Sequence, residues 1–341
     1  MKEYLLKEIA NVKNGYAFDS SKYSDKGIPI IRIADIKDNI DLSKCVCIDE
    51  EINKEFLIKK GSLLIALSGA TTGKMSVFSD NKIAYLNQRI CSIYTKNEDI
   101  SQEFLIYFLK SIQKKIIVNS YGGAQPNISS KWIENIKIKV PNIKIQKKIS
   151  KKLELLANNI NSRKSQLVFL KELTKSLFTT MFGDIKTNDK NWEIYYWKDV
   201  LNIKNGKNQK QVEDINGKYP IYGSGGIIGR SNAYICNENS IIIGRKGNIN
   251  KPILVKEKFW NVDTAFGLEV KSEKMSYHYL YYFCLFYDFE IHNKAVTIPS
   301  LVKSDLEKIV LPVPPIELQN KFAERVEKIE KLSFRYSRVG A

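Results

Sequence analysis

Hydrophobic residues in the segment 145–181 recur at alternating spacings of four and three. A seven-residue repeat of this kind holds one narrow apolar seam against a partner helix, as in a coiled coil. Arg163 and Thr174 are polar where the repeat would place apolar residues. The pattern predicts a helix about 55 Å long at ~1.5 Å per residue, bounded by Pro141 and Gly183. The alternative is a long amphipathic helix lying on a single core. The apolar positions are Ile149, Leu153, Leu156, Ile160, Leu167, Leu170, Leu177 and Met181.

Shorter hydrophobic runs before this helix predict a mixture of strands and helices. Residues 28–33 and 61–67 are apolar enough for buried strands, and residues 132–140 alternate between apolar and polar side chains as a half-buried strand does. Residues 104–117 predict a helix, and residues 4–12 a single short amphipathic element.

The chain after the long helix repeats the order of the chain before it. Residues 197–206 match 6–15, residues 240–243 with Gly247 match 62–65 with Gly69, residues 298–301 match 125–128, and residues 314–319 match 141–146. Ordered matches whose offset shrinks along the chain indicate a duplicated domain that has lost loop residues.

We therefore predict an α+β protein with two homologous domains of mixed α/β structure, separated by long helices of coiled-coil type. The predicted boundaries are 1–142 for the first domain, 143–182 for the central helix, 183–315 for the second domain and 316–341 for a short C-terminal helix.

The net charge narrows the class of partner. The chain has 54 Lys and Arg against 37 Asp and Glu, a formal charge of +17 and a pI near 9.4. This surplus favours a polyanion such as nucleic acid, although a Lys-rich, AT-biased genome would also raise the Lys count.

Localisation follows from what the sequence lacks. No apolar run approaches the ~20 residues that span a bilayer, the charged start lacks the pattern of a signal peptide, and the five cysteines contain no CxxC pair. These features predict a cytoplasmic protein with free thiols and no membrane partner.

No motif nominates a catalytic residue, a metal ligand or a cofactor. The loop 68–74 ends in Gly73 and Lys74, but only three residues separate Gly69 from Gly73, so the P-loop spacing fails. The glycine-rich segment 222–230 lacks the strand–helix setting of a dinucleotide site. There are two histidines and no Cys/His cluster. One catalytic alternative remains, a metal-dependent nuclease using Asp263, Glu269 and Lys271.

The chain resembles the DNA-specificity subunit of Type I restriction–modification systems over essentially its whole length. The resemblance rests on the two repeated domains, each entered by a Trp/Leu–Lys block and an Asn–Gly pair and each left through a proline block and Gln146 or Gln319. The segments 314–322 and 68–74 are typical of the family.

The resemblance implies two target-recognition domains that each read one half of a split double-stranded DNA site. It also implies antiparallel pairing of the two long helices and no catalysis by the subunit itself. The implied partners are two adenine-methylating subunits and, through them, ATP-driven restriction subunits.

The candidate residues fall into two sets. Loop and strand positions in both domains carry side chains suited to phosphates or base edges. The DNA-binding candidates are Arg32, Thr71, Thr72, Lys74, Gln88, Arg89 and Gln125 in the first domain, and Arg230, Arg245, Lys246, Asn248, Lys251 and Lys294 in the second. The helix-pairing candidates are Ile149, Leu153, Leu156, Ile160, Leu167, Leu170 and Leu177, with Phe322, Val326 and Ile329 from the second helix.

The second helix departs from the family pattern. Its apolar repeat degenerates over residues 333–341, which predicts either a shortened helix or a partner protein along residues 167–181.

Two functional alternatives also stay open: the DNA-recognition part of another methyltransferase or nuclease system, and a basic coiled-coil assembly protein without sequence preference.

Overall fold

The computed structural model describes residues 1–120, 126–295 and 297–337. It divides into two compact units, Met1–Asn159 (unit 1) and Ile160–Ala341 (unit 2). The division falls inside the long helix, so each unit includes the part of that helix beside it. Both units mix helices and sheets, which confirms the predicted α+β class. The four sequence boundaries stay predictions.

Unit 1 consists of short strands and helices that alternate along the chain. Its strands are β1 (Lys2–Leu5), β2 (Ala10–Asn14), β3 (Ile28–Ile31), β4 (Cys47–Ile48), β5 (Leu63–Ala66), β6 (Met75–Val77), β7 (Tyr85–Leu86), β8 (Ile90–Thr95) and β9 (Lys137–Val140). Its helices are α1 (Leu6–Ile9), α2 (Gln102–Ser111), α3 (Gln113–Val118), α4 (Ser130–Glu134) and the first part of α5 (Ile143–Phe182).

Unit 2 has nearly the same order of elements. Its strands are β10 (Glu193–Tyr196), β11 (Leu201–Asn205), β12 (Tyr219–Gly223), β13 (Gly226–Ser231), β14 (Ser240–Gly244), β15 (Ile253–Val255), β16 (Trp260–Asn261), β17 (Ala265–Val270) and β18 (Val310–Val313). Its helices are the end of α5, then α6 (Trp197–Val200), α7 (Tyr277–Phe286), α8 (Lys303–Leu306) and α9 (Ile316–Ser337).

The sheets of the two units correspond strand for strand. An antiparallel sheet has the order β2-β8-β5-β6 in unit 1 and β11-β17-β14-β15 in unit 2. A smaller sheet, β4-β3-β7 or β13-β12-β16, contains one parallel pair, and the ladders β1-β9 and β10-β18 pair the first strand of each unit with its last. The duplication predicted from sequence matches is therefore a duplication of topology.

The central strands β5 and β14 carry buried apolar side chains on both faces because both faces are covered. In β5, Leu63 and Ile65 pack into the core beneath the helices, whereas Leu64 and Ala66 pack into a second cluster on the other face. Side chains alternate between the faces of a strand, so a strand covered on both sides needs an unbroken hydrophobic run. β14 follows the same rule, and the buried Trp197 anchors the core of unit 2.

Three predicted elements are wrong in detail. The segment 4–12 is not one element but β1, α1 and β2, because the chain leaves its ladder with β9 and then pairs with β8. Residues 132–140 begin as helix α4, because the Ser129 side chain caps it by accepting a hydrogen bond from the Trp132 N–H at 3.2 Å. The helix predicted over 104–117 breaks at Ile112.

Helix α5 begins two residues before the heptad segment 145–181 and ends one residue after it. Asn142 caps it, since its Oδ1 accepts a hydrogen bond from the Ile145 N–H at 3.0 Å. Gly183 ends it with a φ of +82°, a conformation that glycine adopts without strain. Within residues 1–120, 126–295 and 297–337, no helix combines the length and apolar content needed to cross a bilayer.

The end of α5 packs against α9 inside unit 2. The rings of Phe178 and Phe182 lie 5.5 and 5.1 Å from that of Phe322. At the other end of the contact, Arg163 lies 4.5 Å from the centre of the Tyr336 ring. The helices are therefore antiparallel. Thr174, the polar repeat position four residues before Phe178, is buried.

Two findings bear on the prediction for the second helix. α9 has 22 residues against 40 in α5, and it stays helical past residue 333 to Ser337. Leu177 and Met181 pack on the core that contains Phe322 and Val326, rather than awaiting a partner protein.

The other helix-pairing candidates differ in exposure. Leu167, Leu170 and Ile329 are half-buried. In contrast, the four candidates between residues 149 and 160 are exposed: Ile149 and Leu153 at 37%, Ile160 at 46% and Leu156 at 58%.

Candidate nucleic-acid interface

Three loop segments of unit 1 meet at one edge of its sheets. β3 and β7 are parallel, with Ile31 opposite Leu86, so Arg32 and Asn87 follow two strand ends that lie side by side. β5 and β8 are antiparallel, with Ala66 opposite Ile90. The loop after β5 and the turn before β8 therefore lie at that same edge.

Main-chain hydrogen bonds fix the loop 68–74 between two neighbouring segments. The Leu67 N–H donates to the Arg89 carbonyl at 2.8 Å, and the Gly69 N–H donates to the Pro126 carbonyl at 3.2 Å. The Ile128 N–H returns a bond to the Leu67 carbonyl at 2.8 Å. We call these bonds, and their equivalents in unit 2, the loop scaffold. The loop joins β5 to β6 as a hairpin connection.

The two threonines of this loop have different environments. Thr72 is 8% exposed, and its hydroxyl donates to the Gly69 carbonyl at 2.6 Å and lies 3.0 Å from the Pro126 carbonyl. The Thr71 hydroxyl is buried without a hydrogen-bond partner. Thr72 thus holds the loop closed, whereas Thr71 contributes no bond to it.

Helix α3 supports the same loop from behind. The Gln113 side chain donates to the Gly73 carbonyl at 2.9 Å. Gly73 has a φ of +78°, and a side chain there would come within 2.5 Å of Ile117 Cγ1. Only glycine fits this position without displacement. Nothing in the sequence pattern indicated the roles of Gln113 and Ile117, which come from a helix about forty residues away.

The remaining candidates of unit 1 include both free and engaged side chains. Lys74, Gln88 and Arg89 are exposed at the edge. Arg32 is half-buried, with its Nε 3.6 Å from Asp35 Oδ2 and its guanidinium 5.8 Å from the centre of the Tyr23 ring. Gln125 lies outside the described residues.

Unit 2 builds the same loop scaffold. The Arg245 N–H donates to the Thr264 carbonyl at 2.8 Å, and the Gly247 N–H donates to the Pro299 carbonyl at 2.9 Å. The Leu301 N–H returns a bond to the Arg245 carbonyl at 2.9 Å. These bonds correspond one for one to those around Leu67 in unit 1.

The side chains on the two scaffolds differ. Equivalence of the bonds aligns Leu67 with Arg245 and Arg89 with Thr264, and by sequence adjacency it also aligns Ser68 with Lys246 and Gln88 with Asp263. The exposed candidates of unit 2 at this edge are Arg245, Lys246, Asn248 and Lys251. Main-chain geometry is thus kept while the chemistry offered to a ligand changes.

Three candidates of unit 2 are engaged within the protein. A terminal nitrogen of Arg245 donates to the Asp263 carbonyl at 3.4 Å, although this side chain is exposed. Arg230 donates from Nε to the Gly217 carbonyl at 2.6 Å and from a terminal nitrogen to the Lys218 carbonyl at 2.8 Å. Lys294 forms an ion pair with Asp305, Nζ to Oδ2 at 2.5 Å, and this bond lowers the pKa of the Asp305 carboxyl.

The sequence analysis missed the tip of the β12–β13 hairpin. Ile227 and Ile228 follow the glycine-rich turn 223–226 and are 61% and 56% exposed. Two adjacent isoleucines after a glycine turn are the signal that could have found them.

The positions of Asp263 and Glu269 do not support the nuclease alternative. Glu269 is 9% exposed, accepts a hydrogen bond from the Asn237 N–H at 2.9 Å and lies 3.6 Å from Lys204 Nζ. Asp263 precedes β17 and Glu269 is near its other end, more than about 13 Å away at ~3.3 Å per residue. Their carboxylates are too far apart to share a metal ion. The part of the chain that the structure describes contains no cluster of three or more His, Cys, Asp or Glu suited to a metal.

Comparison with known proteins gives one family. The model of the Type I restriction modification DNA specificity domain matches residues 1–169 and again residues 189–335. The MjaVIII Type I restriction enzyme specificity subunit of Methanocaldococcus jannaschii is 24% identical over 327 residues, covering 82% of this chain and 75% of that protein.

Two solved structures share the fold. The S subunit of a Type I restriction–modification system from M. genitalium superposes with a TM-score of 0.66 at 17% identity, over 99% of this chain and 91% of that one. A chain from a structure that addresses complex assembly and conformational transition of the Type I system superposes at 0.55 with 14% identity, over 99% and 93%.

Proposed function

Because the chain belongs to the Type I restriction–modification DNA specificity family, we propose that it is the DNA-reading subunit of such a complex. Each unit reads one half of a split double-stranded site. The chain binds two methylating subunits and, through them, restriction subunits, and it works in the cytoplasm.

One observation carries this proposal: the loop scaffold occurs in both units with different side chains on it. A duplicated scaffold with the same side chains would favour two copies of one target. A scaffold that keeps its main-chain bonds while Gln88 is replaced by Asp263 supports two targets approached in one docking mode.

The exposed side chains suggest a division of labour. Lys74, Lys246 and Lys251 are suited to phosphates, which give affinity without sequence information. Gln88 and Asn248 are suited to adenine, and Arg89 and Arg245 to guanine, in the major groove. Asp263 is suited to the amino group of cytosine.

We assign Arg230, Thr72 and Lys294 to shaping the interface rather than to contacting DNA, because their polar atoms are engaged within the protein. We propose no catalytic residue, metal or cofactor in this chain, so methylation and cleavage belong to the partner subunits.

The experiment is selection of bound sites from random duplex DNA, using the chain co-expressed with a candidate methylating subunit. We expect two fixed half-sites at a constant spacing. Exchanging unit 2 for that of a relative should change one half-site and leave the other unchanged.

Two outcomes would contradict the proposal. Selection of no sequence by a folded complex would favour the basic assembly protein. Metal-dependent cleavage by the purified chain alone would favour the nuclease.

A further inference from the structure

We propose that the tip of the β12–β13 hairpin makes an apolar contact with a thymine methyl group in the half-site read by unit 2, chiefly through Ile227. This inference rests on the proposed function. It adds a hydrophobic specificity contact beside the polar and charged candidates of this edge.

The exposure of this pair is unusual for a strand. Successive side chains on a strand point to opposite faces, so a strand on a core normally buries one of two neighbours. Ile227 and Ile228 are 61% and 56% exposed. The ladder shifts register between Ile221 and Tyr222, beside the turn, and Gly226 has a φ of +127°. The hairpin therefore presents both isoleucines at its tip.

The hairpin tip lies against the loop that carries the basic candidates of unit 2. A side chain at Gly225 would lie 3.4 Å from Asn248 Nδ2, and one at Gly247 would lie 3.8 Å from Ser224 Oγ. Exposed Arg245, Lys246 and Lys251 belong to that loop or flank it. A duplex held by these cations would be in reach of the tip.

The hairpin is fixed at its base. The two bonds from Arg230 to the Gly217 and Lys218 carbonyls tie β13 to the segment before β12. The Asp214 N–H donates to the Arg230 carbonyl at 2.9 Å, and Glu213 forms an isolated bridge with Ser231. A hairpin held in this way loses little conformational entropy when it binds.

The fold does not require these exposed isoleucines. In unit 1 the strand at the corresponding edge is β4, whose Cys47 and Ile48 are both buried. Within the described residues, the strand of unit 1 that corresponds to β13 therefore has no such apolar tip, which agrees with a contact specific to one half-site.

The chemistry of duplex DNA then indicates the ligand. The major groove admits a two-stranded β-ribbon, and the apolar group it displays is the C5-methyl of thymine. A wedge inserted between base pairs from the minor groove is the other known use of apolar side chains on DNA. The neighbouring Asn248 and Arg245, which suit major-groove edges, favour the methyl contact.

The test uses the selected site and the complex with the methylating subunit. Each thymine of the unit 2 half-site is replaced in turn by deoxyuridine, which lacks only the methyl group. We expect one replacement to weaken binding about fourfold, the equivalent of about 0.8 kcal/mol for one buried methyl. In Ile227→Ala, binding to the thymine site should fall about tenfold and this uracil effect should disappear.

Ile194→Ala is the matched control, because Ile194 is 54% exposed but belongs to the β10–β18 ladder. It should keep wild-type affinity and the wild-type uracil effect. Uracil in the other half-site should act equally on all three proteins.

Three results would overturn the inference. The first is a uracil effect that persists in Ile227→Ala. The second is an affinity loss in Ile227→Ala without any uracil effect in the wild type. If the fluorescence of 2-aminopurine placed in the unit 2 half-site also rises on binding, the tip acts as a wedge between base pairs. The third is a unit 2 half-site without an A·T pair. In each case the split site survives, so the proposed function stands. A complex that selects no site removes both.

Discussion

Two neighbouring threonines in the loop 68–74 of unit 1 contribute in opposite ways to the stability of the fold. Thr72 uses its hydroxyl to close the loop 68–74, whereas the Thr71 hydroxyl is buried and bonds to nothing. A buried hydroxyl that has partners stabilises the fold when it is present, but one without partners carries an uncompensated desolvation cost.

Replacing each threonine by valine separates these two roles. We expect Thr72→Val to lower the free energy of unfolding by about 1–2 kcal/mol, since the hydroxyl that donates to the Gly69 carbonyl is lost. Thr71→Val should be neutral or slightly stabilising, because the methyl fills the same space without the polar cost. Urea denaturation of both variants tests this, and equal losses would contradict the assignment.

Lys74 and Gln88 should differ in what their removal does to DNA binding. Lys74→Ala should weaken binding to all sequences alike and reduce the salt slope by about one. Gln88→Ala should relax the preference at one base pair of one half-site, at a cost of about 1–3 kcal/mol for the preferred base. Titration against a panel of single-base variants checks both, and an unchanged base preference in Gln88→Ala would remove that residue from the interface.

His278 should make the stability of unit 2 sensitive to mild acid. Burial and the nearby Lys256 lower the pKa of His278 from its ordinary 6.5, while Glu327 and Glu330 oppose the shift. The unfolded chain therefore binds more protons than the folded one just below pH 6.5, so the contribution of this group to stability is lost as the pH falls through that region. His278→Gln should flatten the decline of Tm between pH 7 and 5; an unchanged decline would contradict this.

At the scale of elements, the sequence predicts best where no breaking residue interrupts a long pattern. Strand β5 is an unbroken apolar run, and helix α5 contains neither Pro nor Gly, although its apolar seam is exposed in one part and buried in another. Residues 132–140 alternate apolar and polar side chains throughout, but a capping bond from Ser129 turns the first part into a helix. A single local hydrogen bond overrides a weak period, which no window of hydrophobicity detects.

The repeat supplies a matched pair of helix positions with opposite burial. Phe322 is fully buried against Phe178 and Phe182, whereas Ile149, 173 residues earlier, is 37% exposed. We expect Phe322→Ala to lower the free energy of unfolding by about 3–5 kcal/mol, and Ile149→Ala to lower it by no more than about 1 kcal/mol. Chemical denaturation of the isolated chain measures both, and comparable losses would mean that the first part of α5 is buried.

At the scale of the whole chain, positive charge is shared between the units. Residues 1–159 contain 26 basic and 17 acidic side chains, and residues 160–341 contain 28 and 20. Composition therefore indicates a polyanionic ligand for both units. It does not separate Lys246, which is free, from Lys294, which is paired with Asp305, because that distinction depends on contacts between distant segments. For the same reason the sequence predicts the loops but not the main-chain bonds of the loop scaffold that hold them.

Positive charge on both units predicts how the binding of the proposed split site should respond when one half-site is scrambled. Scrambling one half-site should lower affinity but leave the slope of log affinity against log salt within about one unit, because the phosphate contacts of both units remain. Affinity measured from low to high salt on intact and half-scrambled duplexes tests this. If the slope falls by half instead, the unit whose half-site was scrambled no longer contacts the DNA.

The loop scaffold has a consequence for how such a protein changes over generations. Its bonds use main-chain atoms, so most side chains except proline can occupy an exposed position such as Arg245 without loss of a bond. Substitutions there alter the chemistry offered to the ligand while costing the fold little. A lineage can therefore drift through many target preferences by single steps without passing through an unfolded intermediate, and natural selection can act on the choice of target independently of stability.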